Sequence, residues 1–169
     1  MKKRSRDEIL TWDEYFMGIA LFSKYRSKDP HTQVGACIVN EAKHIVGVGY
    51  NGMPNGCSDA EFPWGSTGEF GDKKYAYVVH AELNAILNAS TSLKGCRIYT
   101  SLFPCNECCK AIIQSGIKEV IYLSDKYAAT DSTRASKRMF AAAGVHYRQL
   151  ETDLQEIPVN FALPEKEQA

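Results

Sequence analysis

The second half of the chain alternates between helix-like and strand-like patterns, and this alternation is the strongest constraint on its fold. Apolar residues at helical spacing predict helices over 80–89, 105–115 and 131–143, and short runs rich in Val, Ile and Tyr predict strands over 96–101, 119–123 and 145–150. Strands separated by helices of this length require crossover connections, which cover both faces of a sheet. We therefore predict an α/β fold, a three-layer α/β/α sandwich.

The last of these helices has a recognisable end and a recognisable apolar side. Gly144 follows it at the position typical of a C-cap glycine. We expect its buried face to consist of Ala135, Met139, Ala142 and Ala143.

The first half predicts one further helix and a β-hairpin. Over 11–26 the spacing places four apolar side chains on one helical face: Trp12, Phe16, Ile19 and Ala20. Thr11 and Glu14 fit a capping box, in which each side chain satisfies a backbone amide of the first turn. The runs 33–40 and 44–50 are rich in Val and Ile and predict two antiparallel strands. Together with the later strands they make a five-stranded sheet.

A long segment without periodicity, 51–79, separates the two halves. It contains two prolines and several glycines, so turns should dominate it. A loop of this length inside a compact domain is often functional, and a flexible insertion is the alternative.

Length, charge and hydropathy narrow the class of protein. A chain of 169 residues has the size of one domain, which we expect to span 1–169 with its core over about 10–150 and a polar, frayed tail over 151–169. Lys plus Arg and Asp plus Glu both total 20, so no basic field favours polymeric nucleic acid, and a small ligand fits better. With no apolar run of about 20 residues and no signal-like start, we expect a cytoplasmic protein without membrane association.

Six cysteines divide into a cluster and three isolated residues. In a reducing compartment, clustered cysteines favour metal binding over disulfides. Cys37 and Cys96 lie in strand patterns and should be core residues, and for Cys57 a buried thiol is favoured over a second zinc ligand. Cys109 follows the cluster directly and should pack as a small hydrophobe, although it could also compete for metal.

Two short motifs carry the chemistry, and each stands at the start of a predicted helix: His80-Ala81-Glu82 and Pro104-Cys105-Asn106-Glu107-Cys108. Two cysteines three positions apart on a first helical turn can reach one ion, and His80 supplies a third ligand. Three protein ligands leave a position open for water, which is typical of a catalytic zinc site. The Cys-x-x-Cys pair alone would also fit a structural zinc knuckle or a redox pair. Glu82 is placed to carry protons and is not expected to bind the metal.

The pattern H-x-E followed by P-C-x-x-C is the signature of zinc nucleobase deaminases. With the segments RSKDPHTQVGA, GVGYNGMPNGCSD, HAELNAI, FPCNEC and GIKEVIYLSDKY, nearly the whole chain resembles the deoxycytidylate deaminase family. The resemblance implies the cytidine deaminase fold, a mixed five-stranded sheet flanked by helices. It also implies zinc held by His80, Cys105 and Cys108, with Glu82 as proton shuttle in the hydrolysis of dCMP to dUMP and ammonia, a reaction that feeds dTMP synthesis.

The same resemblance suggests residues that bind the substrate. It implies that Asn51 contacts the deoxyribose, that Ala81 contacts the substrate, and that Arg26, Lys126 and Tyr127 gather the 5′-phosphate. A guanidinium, an ammonium and a hydroxyl suit a monophosphate. Arg26 would also stabilise the C-terminus of the first helix without any ligand.

Regulation is implied by the resemblance alone. Members of the family are homohexamers activated by dCTP with Mg²⁺ and inhibited by dTTP, and the effector loop corresponds to Asn51, Gly52, Asn55 and Gly56.

Other functions remain open at this stage. The substrate could be free cytidine, guanine or the wobble adenosine of tRNA, of which the neutral charge disfavours tRNA. A catalytically silent sensor of dCTP and dTTP is a different class of protein, and the intact Glu82 argues against it.

Overall fold

The computed structural model describes residues 9–159 and 161–162. Its helices and strands follow the predicted order along the chain: α1 Trp12–Ser23, β1 Gly35–Val39, β2 Ile45–Tyr50, α2 Ala81–Leu87, β3 Arg97–Leu102, α3 Asn106–Gln114, β4 Glu119–Ser124, α4 Asp131–Ala143 and β5 His146–Gln149. Short 3-10 turns cover Lys24–Arg26, Phe70–Asp72 and Lys74–Ala76.

The five strands form one mixed sheet in the order β2-β1-β3-β4-β5. β1 pairs antiparallel with both β2 and β3, whereas β3–β4 and β4–β5 are parallel. The hairpin prediction is therefore confirmed, and α3 and α4 are the crossover helices of the parallel part.

Alternating side chains of β1 show how the sheet is covered. Cys37 and Val39 pack into a cluster with α1 residues such as Phe16, whereas Ala36 and Ile38 pack into a second cluster with residues from α2, α3 and α4. Each strand residue therefore faces the layer opposite to that of its neighbour. The three-layer α/β/α prediction is confirmed, with α1 on one face and the other three helices on the opposite face.

The start of α1 agrees with the prediction, but one residue of its predicted face does not. The Thr11 hydroxyl accepts from the Glu14 amide at 3.2 Å, and a Glu14 carboxylate oxygen accepts from the Thr11 amide at 2.8 Å, which completes the capping box. Trp12 is 53% exposed, and the Lys43 ammonium lies 4.6 Å from its ring centroid. Met17 is buried in the core instead.

The predicted face of α4 is wrong in part. Met139 and Ala143 pack against the core, but the fully buried positions are Thr133, Ser136 and Phe140. Both hydroxyls are hydrogen-bonded locally, which removes the cost of burying them. Helix α4 ends as predicted, at Gly144 with φ 65°.

Helix α2 lies directly on β2, and two glycines permit this contact. A Cβ atom on Gly49 would stand 2.3 Å from the carbonyl oxygen of Ala81 and from the amide nitrogen of Ala85. On Gly47 it would stand 2.4 Å from the Ala85 carbonyl oxygen. This close approach sets the distance between α2 and the sheet.

The segment 51–79 leaves and re-enters the fold at one point. Gly52 and Val79 form an isolated antiparallel bridge, with N–O distances of 3.1 and 2.9 Å between their backbones. The bridge brings the chain back to the end of β2, where α2 begins.

In the described part of the tail, 151–159 and 161–162, Thr152 contacts α1. The Thr152 hydroxyl donates to a Glu14 carboxylate oxygen at 2.6 Å. None of the described helices has both the length and the apolar character needed to cross a bilayer.

Candidate active site

The residues predicted to bind the metal and to transfer protons lie together at one edge of the sheet. The parallel strands β3 and β4 end there and lead into α3 and α4, and the antiparallel β2 also ends at this edge. Loops beyond the carboxyl ends of parallel strands are where open α/β sheets bind ligands. The topology therefore brings the loops before α2, α3 and α4 to one place.

His80 and Cys105 are the N-cap residues of α2 and α3, and neither side chain makes a capping hydrogen bond. Both side chains instead turn towards Cys108, in the first turn of α3. The His80 Nδ1 atom lies 3.3 Å from the Cys105 Sγ and 3.4 Å from the Cys108 Sγ. The two helix starts thus converge on one nitrogen and two sulfurs.

This donor set fits a zinc ion. The three ligand atoms lie within 4.8 Å of one another. Zinc bonds of about 2.0–2.1 Å to nitrogen and about 2.3 Å to sulfur, at tetrahedral angles, place nitrogen and sulfur about 3.6 Å apart. Within the described residues, no other group of three or more such side chains is close enough to hold a metal.

The three groups shift one another's pKa values. A hydrogen bond from the Cys108 thiol and the neighbouring His80 lower the pKa of Cys105 to about 4. The Cys105 partner in turn raises the pKa of His80 to about 9, and together with burial it raises that of Cys108. A divalent cation bound here would displace these protons, because histidine and cysteine bind metals in their deprotonated forms.

Glu82 is the second residue of α2 and lies beside the three metal-ligand candidates. Its side chain is buried, and the Thr100 hydroxyl lies 3.5 Å from its Oε1 atom. Burial raises the pKa of Glu82, which favours its protonated form relative to an exposed glutamate. A carboxyl group in such surroundings holds a proton more readily than an exposed one and can pass it to a neighbouring group.

A cavity of about 300 Å³ opens in front of these residues. Of the substrate residues predicted from sequence, Asn51, Ala81 and Tyr127 line it, and so do His80 and Glu82. The apolar part of its wall includes Val34, Val78, Leu102 and Phe103.

The other predicted residues lie outside this lining. Arg26 and Lys126 are exposed, and the Lys126 ammonium lies 4.8 Å from the ring centroid of Tyr127 at the cavity mouth. Gly52, Asn55 and Gly56 follow β2 and are also absent from the wall, with Asn55 and Gly56 exposed.

The Asn51 side chain makes three hydrogen bonds to other parts of the protein. Its Nδ2 donates to the Thr32 carbonyl at 2.9 Å and to Asp29 at 3.2 Å, and its Oδ1 accepts from the Val34 amide at 2.8 Å. Both amide hydrogens are thereby used, and one lone pair of Oδ1 is left for a ligand donor.

Asp29 and Lys74 also line the cavity, and the sequence reasoning missed both. Their ion pair measures 2.6 Å, with side-chain exposures of 3% and 8%. Burial favours the neutral acid, yet hydrogen bonds from Lys74 and from the amides of His31 and Thr32 hold the pKa of Asp29 below its ordinary value. The Asp-Pro pair at 29–30 is a turn signal that could have marked Asp29.

The remaining cysteines are packed away from the ligand cluster. Cys37, Cys96 and Cys109 are buried as predicted, and the Cys109 Sγ lies 3.5 Å from the Ser136 carbonyl oxygen. Cys57 is only partly buried.

Comparisons with known proteins agree with the class that this fold and site define. The family model described as the cytidine and deoxycytidylate deaminase zinc-binding region matches residues 10–124. The chain therefore belongs to the cytidine and deoxycytidylate deaminase family, which confirms the resemblance inferred from the motifs.

Three individual proteins show how similar the chain is to members of this family. The chain is 56% identical to human deoxycytidylate deaminase over 160 residues, which cover 94% of this chain and 90% of the human protein. It is 52% identical to a probable deoxycytidylate deaminase of Drosophila melanogaster over 174 residues, covering 98% of this chain and 86% of the fly protein. A crystal structure of dCMP deaminase from the cyanophage S-TIM5 with dCMP and dUMP superposes with a TM-score of 0.60 at 29% identity, covering 80% of this chain and 93% of the phage chain.

Proposed function

We propose that the protein catalyses the zinc-dependent hydrolytic deamination of dCMP to dUMP and ammonia. The observation that carries this proposal is the convergence of His80, Cys105 and Cys108 at two helix starts, with the buried Glu82 beside them. Three ligands and an adjacent carboxyl group are the requirements of a catalytic zinc site that activates water.

The choice of dCMP rests on the relatives. Identity of 56% over nearly the full length of human deoxycytidylate deaminase supports a shared substrate. The cyanophage relative, which has dCMP and dUMP bound, supports the same substrate and product.

The chain's own residues account for the proton transfers. His80, Cys105 and Cys108 would hold zinc, which would act as a Lewis acid and lower the pKa of water from 15.7 to about 7. Glu82 accepts a proton from the attacking water and delivers it to N3 of the ring. The water oxygen bonds to C4, and Glu82 carries the second proton of that water from the oxygen to the amino group. The C4–N bond then breaks, which releases ammonia and leaves a C4 carbonyl.

Residues in the cavity wall are placed to orient the nucleotide. Asn51 is fixed by its three hydrogen bonds, so its free Oδ1 lone pair is a rigid acceptor for a deoxyribose hydroxyl. Ala81 presents only a methyl group beside the ligands, which leaves room for the base. Tyr127 at the mouth is suited to the 5′-phosphate, with Lys126 beside it and Arg26, which lies outside the lining, as a further candidate.

A substrate panel tests the assignment. Purified zinc-loaded protein is incubated with dCMP, CMP, deoxycytidine and dCTP while ammonia is measured. We expect the highest kcat/KM for dCMP, with dUMP formed in equal amount to ammonia. Absence of ammonia from every cytosine compound would refute the enzyme assignment, and a clear preference for deoxycytidine would refute the nucleotide assignment.

We further propose that the enzyme is a cytoplasmic homohexamer that supplies dUMP for dTMP synthesis, activated by dCTP with Mg²⁺ and inhibited by dTTP. The family resemblance supports an effector site at the turn that carries Asn55 and Gly56, and both residues are exposed there. Saturation curves for dCMP with and without Mg-dCTP should differ in their midpoint. Coincident curves would remove the effector assignment and leave the deaminase assignment intact.

A further inference from the structure

The cavity wall contains a buried positive charge that the proposed mechanism does not use. Lys74 comes from the 3-10 turn Lys74–Ala76, in the long loop before α2, and only 8% of its side chain is exposed. Among the described residues lining the cavity it is the one lysine, and that lining holds no arginine. A lysine is rarely buried without a specific partner.

Asp29 fixes the position of this ammonium group. The Asp29 Oδ2 atom accepts from Lys74 Nζ at 2.6 Å and from Asn51 Nδ2 at 3.2 Å. Its Oδ1 accepts from the amides of His31 and Thr32 at 2.8 and 3.1 Å. Four donors therefore bind the two carboxylate oxygens, which fixes the orientation of the Asp29 side chain. The position of the Lys74 ammonium group is fixed with it.

The lysine itself is only partly satisfied. An ammonium group has three N–H donors. One is bonded to Asp29, and residues 9–159 and 161–162 offer no acceptor within hydrogen-bond distance for the other two. Because buried donors are normally paired, the two N–H groups require an acceptor within the cavity, which water or a ligand can supply.

We propose that Lys74 binds the 5′-phosphate of the substrate and so selects a nucleotide over a nucleoside, with Asp29 as its positioning residue. This rests on the proposed deamination of dCMP. A phosphate offers the charged oxygen acceptors that an ammonium group prefers. Arg26 and Lys126 are exposed and lie outside the lining, so Lys74 is the better placed cation.

The competing explanation is that the ion pair only holds the loop on the fold. A single Lys74 variant does not separate the two, because it leaves the Asp29 carboxylate buried without its partner. The informative comparison is between Asp29→Asn and the double variant Asp29→Asn with Lys74→Met. Neither has the ion pair, and they differ in the lysine alone.

The experiment measures kcat/KM for dCMP and for deoxycytidine in both variants, with melting temperatures as the check on folding. We expect the double variant to lose about 10- to 100-fold in kcat/KM for dCMP relative to Asp29→Asn, mainly through KM, since a hydrogen bond to a charged group is removed. The value for deoxycytidine should change less than about 3-fold. Lys94→Met, at an exposed lysine outside the cavity lining, is the matched control and should leave kcat/KM for dCMP unchanged.

Binding measurements keep the test independent of turnover. Calorimetry with dUMP and deoxyuridine should show that the Lys74 change weakens the binding of dUMP by a factor similar to the loss in kcat/KM. The binding of deoxyuridine should not change. Equal losses for the nucleotide and the nucleoside, in rate or in binding, would overturn the proposal and leave a structural ion pair. If wild-type protein does not deaminate dCMP, the proposed function fails, whereas selective loss of dUMP binding would still support Lys74 as the phosphate contact.

Discussion

The His80 Nδ1 atom lies 3.3 Å from the Cys105 Sγ, although the two residues are 25 positions apart and begin different helices. The contact arises because α2 rests on β2 while α3 follows β3, which places both helix starts at one edge of the sheet. Cys108 then completes a set of three ligand atoms from a position one turn further along α3.

Removing one of these sulfurs should remove the metal. We expect Cys105→Ser to lower bound zinc from about one ion per chain to a small fraction, because a serine hydroxyl is a much poorer zinc ligand than a thiolate. Deaminase activity should fall in proportion to the metal content. Elemental analysis of the purified protein, alongside an activity assay, measures both.

Cys57→Ser is the matched control for that experiment, since Cys57 lies outside the cluster. It should keep its zinc and its activity. Full zinc occupancy in Cys105→Ser, or loss of zinc in Cys57→Ser, would contradict the ligand assignment.

Acid should weaken the fold partly through Asp29. Its pKa in the folded protein lies below the ordinary value of 3.8. Its ionised form therefore stabilises the fold fully above that value, and the contribution is lost as the pH falls through the folded pKa. We expect the free energy of unfolding of wild type to fall more steeply than that of Asp29→Asn below about pH 4. Denaturant titrations of both proteins at several pH values test this. Acid also removes zinc, but that loss affects both proteins and cancels in the comparison. Parallel curves would show that Asp29 has no depressed pKa.

The contact between β2 and α2 should not tolerate a side chain at Gly49. A Cβ atom there would stand 2.3 Å from the backbone of Ala81, next to His80. We expect Gly49→Ala to lower the free energy of unfolding by about 1–3 kcal/mol or more, and to lower activity because α2 carries Glu82. Gly65→Ala meets no atom closer than 3.8 Å and should change stability by no more than about 0.5 kcal/mol. Equal melting temperatures for the two variants would contradict the close packing.

Local signals in the sequence were sufficient for most elements of the fold. The Thr11 capping box marks the start of α1, Gly144 marks the end of α4, and the alternation of strands and helices determines the layers. The motifs around His80 and Cys105 also indicate which groups come together, because both begin helices that follow the same edge of the sheet.

The buried faces were harder to predict. Thr133 and Ser136 are buried on α4 although they are polar, because local hydrogen bonds satisfy their hydroxyls. Hydropathy assigns such residues to the surface. Trp12 is the reverse case, a large apolar residue that stays exposed under the Lys43 ammonium.

Lys74 was missed for a related reason. It lies in a glycine-rich loop without periodicity, and its burial depends on Asp29, which is 45 positions away in the chain. Pairing over such a distance follows from the path of the whole loop, and no pattern in one sequence reports it.

The most direct test of the account is Glu82→Gln, assayed for both dCMP turnover and zinc content. The glutamine keeps the shape of the side chain but cannot carry protons, so we expect conversion of dCMP to dUMP to fall by about 100-fold or more while zinc content stays at the wild-type level. Turnover within a few-fold of wild type would contradict the proton-transfer role of Glu82. Loss of zinc together with turnover would contradict its separation from the metal ligands.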